Sequence, residues 1–228
     1  MSLLSISGLV ASYGKSQALF GVDLTIEAGQ VVALMGRNGM GKTTTVRAIC
    51  RMIGSKGSMV FAGTDIRKLS SHQVARLGIG LVPEGRRAFR DLTVRENLVA
   101  VSRPGHWDID KVVALFPRLS ERADQLAGSL SGGEQQMLVI GRALVTNPRL
   151  LILDEATEGL APNIRREIWA TVEQLKRESG LSILVIDKSL SELLAVCDRA
   201  TILERGRSVW SGAMDDLDSE ISQRHLGV

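Results

Sequence analysis

The strongest constraint in this 228-residue chain is one run, Gly36-Arg37-Asn38-Gly39-Met40-Gly41-Lys42-Thr43, with glycines at fixed places and Lys-Thr at its end. The apolar run Val31 to Met35 precedes it and a helical pattern from Thr43 to Met52 follows, so it reads as the turn from a buried strand into a helix. Glycines permit unusual backbone angles and let amides curl around an anion. The helix adds its N-terminal N–H groups and the positive end of its dipole. Lys42 adds a cation for β and γ oxygens, and the Thr43 hydroxyl is placed to coordinate Mg²⁺. The pattern predicts a cradle for nucleotide phosphates built from Gly36, Arg37, Asn38, Gly39, Gly41, Lys42, Thr43 and Thr44. By chance, a chain this long would match it about once in a hundred.

A second apolar run, Leu150 to Leu153, ends in Asp154-Glu155. Open parallel sheets hold ligands beyond the carboxyl ends of their strands, which brings both acids to the phosphates. Phosphoryl transfer to water needs a metal partner and a residue that orients the water. Asp154 suits the first role, and Glu155 suits general base or water positioning.

The rest of the chain supports one α/β domain. Leu3 to Ser7, Leu9 to Tyr13, Val22 to Ile26 and Val31 to Met35 are short strand-like runs, which makes the N-terminal region β-rich. Ile79 to Val82 and Ile183 to Ile186 are further apolar runs, and Ile164, Ile168, Val172 and Leu175 recur at helical spacing before Gly180. Thr93 to Ala100, Asp108 to Phe116 and Ser131 to Val145 read as helices without a strand between them. Residues 1–90 and 147–228 are therefore expected to form the β-rich and α/β core, with a helical subdomain inserted at about 91–146. Charged residues, 28 basic and 25 acidic, are too frequent for a membrane-spanning helix. The start of the chain lacks the pattern of a secretory signal, so the cytosol is expected. A net charge of +3 gives no argument for nucleic acid. Cys50 and Cys197 read as reduced, buried thiols.

Leu130-Ser131-Gly132-Gly133-Glu134-Gln135-Gln136 opens one of these helices. A Ser hydroxyl and Gly amides at a helix start make an anion site; equally, Ser131 and Glu134 make a capping box that needs no ligand. With this segment the chain resembles, over essentially its whole length, the nucleotide-binding subunits of ABC transporters. The resemblance implies an α/β P-loop NTPase of ABC type: a mixed or parallel sheet core, an N-terminal antiparallel β region and an inserted helical subdomain. It also implies that two subunits face each other, with Ser131, Gly132 and Gly133 of one contacting the γ-phosphate held by the other. Pro83-Glu84-Gly85-Arg86-Arg87, Leu92 to Leu98, Gly141 to Leu144 and Glu158-Gly159-Leu160-Ala161-Pro162 are similar to the LivF type, the ATPase of branched-chain amino acid importers. A sibling family importing urea or short amides shares much of this pattern. The resemblance then implies ATP as substrate with Mg²⁺, and docking on permease subunits at the cytoplasmic face of the inner membrane. It further implies pairing with a companion LivG-type ATPase or a second copy, and an indirect link to a periplasmic solute-binding protein.

Four positions depart from the general ABC pattern: Glu84, Lys188, and, in the loop that follows Asp154-Glu155, Glu158 and Ala161. Glu84 stands where a glutamine ligand and sensor of Mg²⁺ is expected; a carboxylate coordinates a metal but donates no hydrogen bond. Lys188 stands at the place of a switch histidine and reaches a γ-phosphate only as a donor. Glu84 and Lys188 thus join Glu155 as expected catalytic residues, Thr43, Glu84 and Asp154 as metal ligands, and slow turnover of the isolated subunit is expected. Tyr13, the only tyrosine, lies where the family places an aromatic on adenine, a contact worth about 1–3 kcal/mol. Arg86, Arg87 and Arg90 with Phe89 read as a solvated face or a surface for the permease. His72, His106 and His225 read as solvated. A phosphotransferase would lack the Leu130 to Gln136 segment, and ABC ATPases acting on DNA or ribosomes usually carry tandem cassettes or coiled-coil insertions, which this chain does not show.

Overall fold

Period-two alternation governs the start of the chain. Residues 2–227 are described by a computed structural model, and Met1 and Val228, the ends of the expected domain, lie outside them. Strands β1 (Ser2–Tyr13) and β2 (Ser16–Glu27) pair antiparallel. The runs Leu3 to Ser7 and Leu9 to Tyr13 are one strand; the register slips between Ile6 and Leu9, where Gly8 takes φ 59° and bulges the strand. Strand β3 (Val31–Met35) leads into α1 (Lys42–Ile49), which ends three residues before the Met52 that the pattern predicts. Then follow β4 (Ser55–Phe61), β5 (Thr64–Asp65), α2 (Ser71–Arg76) and β6 (Ile79–Val82). The elements from Val94 to Leu144 are α3 (Val94–Val99), α4 (Ile109–Leu115), α5 (Pro117–Glu121) and α6 (Gly132–Leu144). Last come β7 (Leu150–Asp154), α7 (Pro162–Ser179), β8 (Ser182–Ile186), α8 (Leu190–Val196), β9 (Arg199–Glu204), β10 (Arg207–Ala213) and α9 (Ser219–His225).

The strands make one sheet in the order β5-β4-β1-β2-β10-β9-β3-β8-β7-β6. From β9 to β6 neighbours run parallel, whereas β5-β4-β1-β2 and β10-β9 are antiparallel. The chain is thus a mixed sheet with helices, in keeping with the expected class. Strand β3 is apolar throughout because both its faces are covered. Val31, Ala33 and Met35 join a core with Met137 and Leu144 of α6 and Ile168 and Val172 of α7. Val32 and Leu34 face the other way, into a core with Leu4, Leu24 and Phe61 of the antiparallel strands and Val46 and Ile49 of α1. Each fully buried Leu, Ile or Phe contributes about 1.5–3 kcal/mol. These contacts fix α1 between two sheet regions, with its first turn at the carboxyl end of β3.

Candidate functional site

The turn after β3 has little freedom. At Gly36 (φ 139°) any β-carbon would run into the carbonyl of Leu203 on β9, and at Gly41 (φ 105°) it would stand 2.6 Å from Leu19 Cδ2. Gly39 is in open space but takes φ 79°, an angle that favours glycine. Thr45 N–H makes a helical bond to Gly41 C=O, so the amides before it in α1 have no acceptor within the helix. Lys42 folds back over the turn: Nζ donates to Gly36 O (2.7 Å) and Arg37 O (3.0 Å), and only 6 % of the residue is exposed. Burial pushes its ammonium below the usual lysine range; Glu155 and Asp154 oppose this and Lys188 reinforces it. A depression of about 240 Å³ opens over the turn, lined by Asn38, Thr43, Thr44, Glu155 and Lys188 among others.

Asp154, the last residue of β7, is 2 % exposed, and Thr43 Oγ1 donates to its Oδ1 at 3.4 Å. Burial, and after it the charge of Glu84, push the Asp154 carboxyl up to about 6 against the opposing pull of Thr43, Arg47 and Lys42. Arg47 Nη2 lies 3.8 Å from Glu84 Oε1. Two carboxylates and a hydroxyl therefore face one another with two cations to balance them, a hard-oxygen donor set that fits Mg²⁺. Among the described residues no three His, Cys, Asp or Glu side chains form a metal cluster, so the nucleotide would have to complete the coordination.

Glu155 sits just past β7 at φ 51°, its N–H bonded to Ile186 O at 2.9 Å. Left-handed backbone at a non-glycine residue costs on the order of 1 kcal/mol and persists only where its surroundings hold it. Lys188 Nζ stands 3.6 Å from Glu155 Oε2 and makes a short hydrogen bond to Glu158 Oε1. Burial raises the Glu155 carboxyl above the usual range, helped by the hydrogen bond and charge of Glu158, with Lys188 and Lys42 opposing. Glu158 is lowered by its hydrogen bonds to Glu155 and Lys188. Asp187 fixes the turn that carries Lys188: Oδ1 accepts from the N–H groups of Lys188 (2.7 Å) and Ser189 (3.0 Å), and Oδ2 accepts from Thr157 Oγ1 (2.5 Å).

Tyr13 and Ser131 to Gly133 do not line this depression. Tyr13 is 42 % exposed at the end of β1; its hydroxyl accepts from Arg47 Nη1 at 3.3 Å, and Arg47 Cζ lies 6.0 Å from the ring centre. Ser131 caps α6, with Oγ accepting from Glu134 N–H (3.3 Å) and Glu134 Oε2 accepting from Ser131 N–H (2.8 Å). The capping box is thus present. A β-carbon on Gly133 would meet Ile164 at 2.8 Å, and one on Gly132 would collide with the guanidinium of Arg86. Gly133 thus has an intramolecular reason beyond any ligand, whereas at Gly132 only the flexible end of Arg86 would have to move. His225 departs from the solvated reading: it is mostly covered, with Nδ1 3.3 Å from Glu204 Oε2. Cys50 and Cys197 are free and buried, and burial pushes both thiols up to about 12. Sequence reasoning did not pick out Arg47; its signal is a basic residue one helical turn after Thr43, on a chain with an acid at position 84. Glu158 was seen only as a departure in its loop, not as the partner of Lys188.

The family profile described as ABC transporter matches residues 19–158. The high-affinity branched-chain amino acid transport ATP-binding protein BraG of Pseudomonas aeruginosa is 42 % identical over 233 residues, covering 99 % of this chain and 100 % of BraG. The lipopolysaccharide export system ATP-binding protein LptB of Escherichia coli (strain K12) is 33 % identical over 237 residues, covering 100 % and 98 %. Among solved structures, an ATP-binding cassette of an ABC transporter in its ADP conformation superposes with a TM-score of 0.84 at 25 % identity, over 100 % of both chains. A nucleotide-free ATP-binding cassette from an ABC transporter gives 0.84 at 26 %, over 100 % of this chain and 96 % of the other.

Proposed function

The chain belongs to the ABC transporter family, and from this we propose that it is the ATP-binding and ATP-hydrolysing subunit of an importer for branched-chain amino acids. The observation that carries the ATPase reading is the convergence of Lys42, Thr43, Asp154, Glu155 and Lys188 around one turn. The cargo rests on the likeness to BraG, which exceeds that to LptB.

In this reading Lys42 exchanges the carbonyls of Gly36 and Arg37 for the β and γ oxygens of ATP, and the free amides of α1 complete the cradle. Thr43, Asp154 and Glu84 would hold Mg²⁺, which when bound supplies positive charge to the phosphates. Glu155 orients a water and accepts its proton, and Lys188 donates to the γ-phosphate once it leaves Glu158. Tyr13 stacks on adenine. Ser131, Gly132 and Gly133 serve the nucleotide of the opposing subunit, either a companion LivG-type ATPase or a second copy. Residues 91–146 act as the helical subdomain. No helix among the described residues is long and apolar enough to cross a membrane; the transport path would belong to permease subunits, with this chain docked at their cytoplasmic face and a periplasmic solute-binding protein beyond.

The purified chain tests this. Glu155→Gln should bind ATP as the wild type does while losing turnover by about 10²-fold or more; undiminished turnover removes Glu155 from its role. Deletion of the gene should abolish uptake of labelled leucine, and unchanged uptake refutes the cargo. A slow isolated subunit is favoured by one contact, the tie of Lys188 to both Glu155 and Glu158. A basal rate equal to that of the assembled transporter would refute slow basal turnover.

A further inference from the structure

Arg86 lies two residues past Glu84, in a turn held from outside. Its own backbone takes φ 51° directly after Gly85 at φ 86°. Buried Asn97 of α3 accepts from Phe89 N–H (2.9 Å) and donates to Phe89 O (3.0 Å). Arg142 of α6 donates to Arg87 O (2.6 Å) and stacks on the Phe89 ring, 4.2 Å from its centre. With the turn fixed, the Arg86 side chain crosses to the loop before α7, where Nη2 donates to Gly159 O (2.8 Å) and Glu158 O (3.2 Å). The same guanidinium covers Gly132: a β-carbon there would collide with Nη1 and stand 3.0 Å from Cζ, and one on Gly159 would stand 3.2 Å from Nη2. One side chain therefore sets the space at two glycines in segments far apart in sequence.

We propose that Arg86 is a positioning residue that locks the start of the signature helix, Ser131–Gly132, to the Glu158–Gly159 turn, so that both present one rigid face to the opposing subunit. The geometry stands by itself; the catalytic consequence rests on the ATPase reading above. Among the described residues Arg86 makes no hydrogen bond to the phosphate turn or to Asp154, so the chain's own ATP binding does not depend on it. A planar guanidinium serves two adjacent carbonyls through one nitrogen while another lies against a glycine, and an ammonium does not reproduce this. Through the same turn Arg86 also connects the segment bearing Glu84 to both parts of that face.

The test uses the full chain and amide hydrogen exchange by mass spectrometry over residues 131–134 and 157–160. Arg86→Ala and Arg86→Lys should raise exchange in both segments together by about tenfold, while Arg87→Ala should change neither. Gly132→Ala, which crowds the guanidinium from the other side, should loosen residues 157–160 although the substitution lies in α6. In steady-state kinetics kcat of Arg86→Ala should fall about tenfold with KM for ATP held within about twofold. Unchanged exchange in either segment of a folded Arg86→Ala chain overturns the lock, and Gly132→Ala decides the matter if Arg86→Ala does not fold. A KM that rises while kcat holds also overturns the proposal, because it puts Arg86 at the chain's own nucleotide. A wild-type chain without turnover defeats only the ATPase reading, and the exchange comparison still decides the lock.

Discussion

Asp154 shows what a site prepared for a cation costs the chain that carries it. Its carboxyl is raised from an ordinary 3.8 to about 6, which corresponds to ~3 kcal/mol of folding free energy lost at neutral pH. The sign follows from which state releases its proton first: the unfolded chain ionises near the ordinary value, the folded chain near 6, so the penalty grows between them and is complete above. Asp154→Asn should therefore melt higher than the wild type at pH 7.5, on the order of 5 °C, and the difference should shrink as pH falls from 6 towards 4. Its Mg²⁺-dependent turnover should be lost. Glu158 acts on Glu155 in the same manner, by a shared hydrogen bond and by charge. Glu158→Gln should bring the Glu155 carboxyl down, so the acid limb of the pH–rate profile should move to lower pH; an unmoved limb would show that Glu158 does not set it. The glycines and acids of this site are legible in sequence because neighbours explain them. The contacts of Lys188 with Glu155 and Glu158, and of Arg47 with Glu84, are not, since the first joins the turns after β7 and β8 and the second joins α1 to the turn after β6.

Among the elements, α6 depends most plainly on its own first turn. Burial pushes the Glu134 carboxyl up, but its hydrogen bonds with Ser131 and the charge of Arg122 outweigh burial and hold it below the usual range. Such a group stabilises the fold above the ordinary carboxylate value and ceases to as pH falls through the lowered one. Ser131→Ala should cost about 1 kcal/mol in urea unfolding at pH 7, and the part of that gap carried by the Glu134 carboxylate should disappear as pH falls through its lowered range, while the part carried by the bond from Glu134 N–H to Ser131 Oγ stays. Helix starts of this kind are readable because cap and box lie within four residues. Strands β4 and β10 escaped sequence reading for the opposite reason. Ser55-Lys56-Gly57-Ser58 is polar, and Arg207 to Ala213 buries no residue fully; these segments are strands because β1 and β9 offer them unpaired backbone.

At the scale of the molecule, one core runs from the sheet into the helices that precede β7. Phe116 and Leu119 belong to the same buried cluster as Leu151, Ile183 and Ala200, so residues 91–146 are a distinct segment of chain without being a separate core. Phe116→Ala should cost about 3–5 kcal/mol, and near- and far-ultraviolet circular dichroism should still report one coincident unfolding transition; an early transition of the helices alone would contradict a continuous core. By itself, the sequence determined which groups are on offer: a turn that exposes amides, a lysine and a hydroxyl at a helix start, two acids at a strand end, a capped glycine pair. Tertiary structure alone decided which of them meet. The carbonyl of Leu203 that forbids a side chain at Gly36, and the guanidinium of Arg86 that lies against Gly132, arrive from strands and turns whose places depend on burying both faces of β3 at once. That requirement is satisfied by the whole sheet order, and no stretch of neighbouring residues contains it.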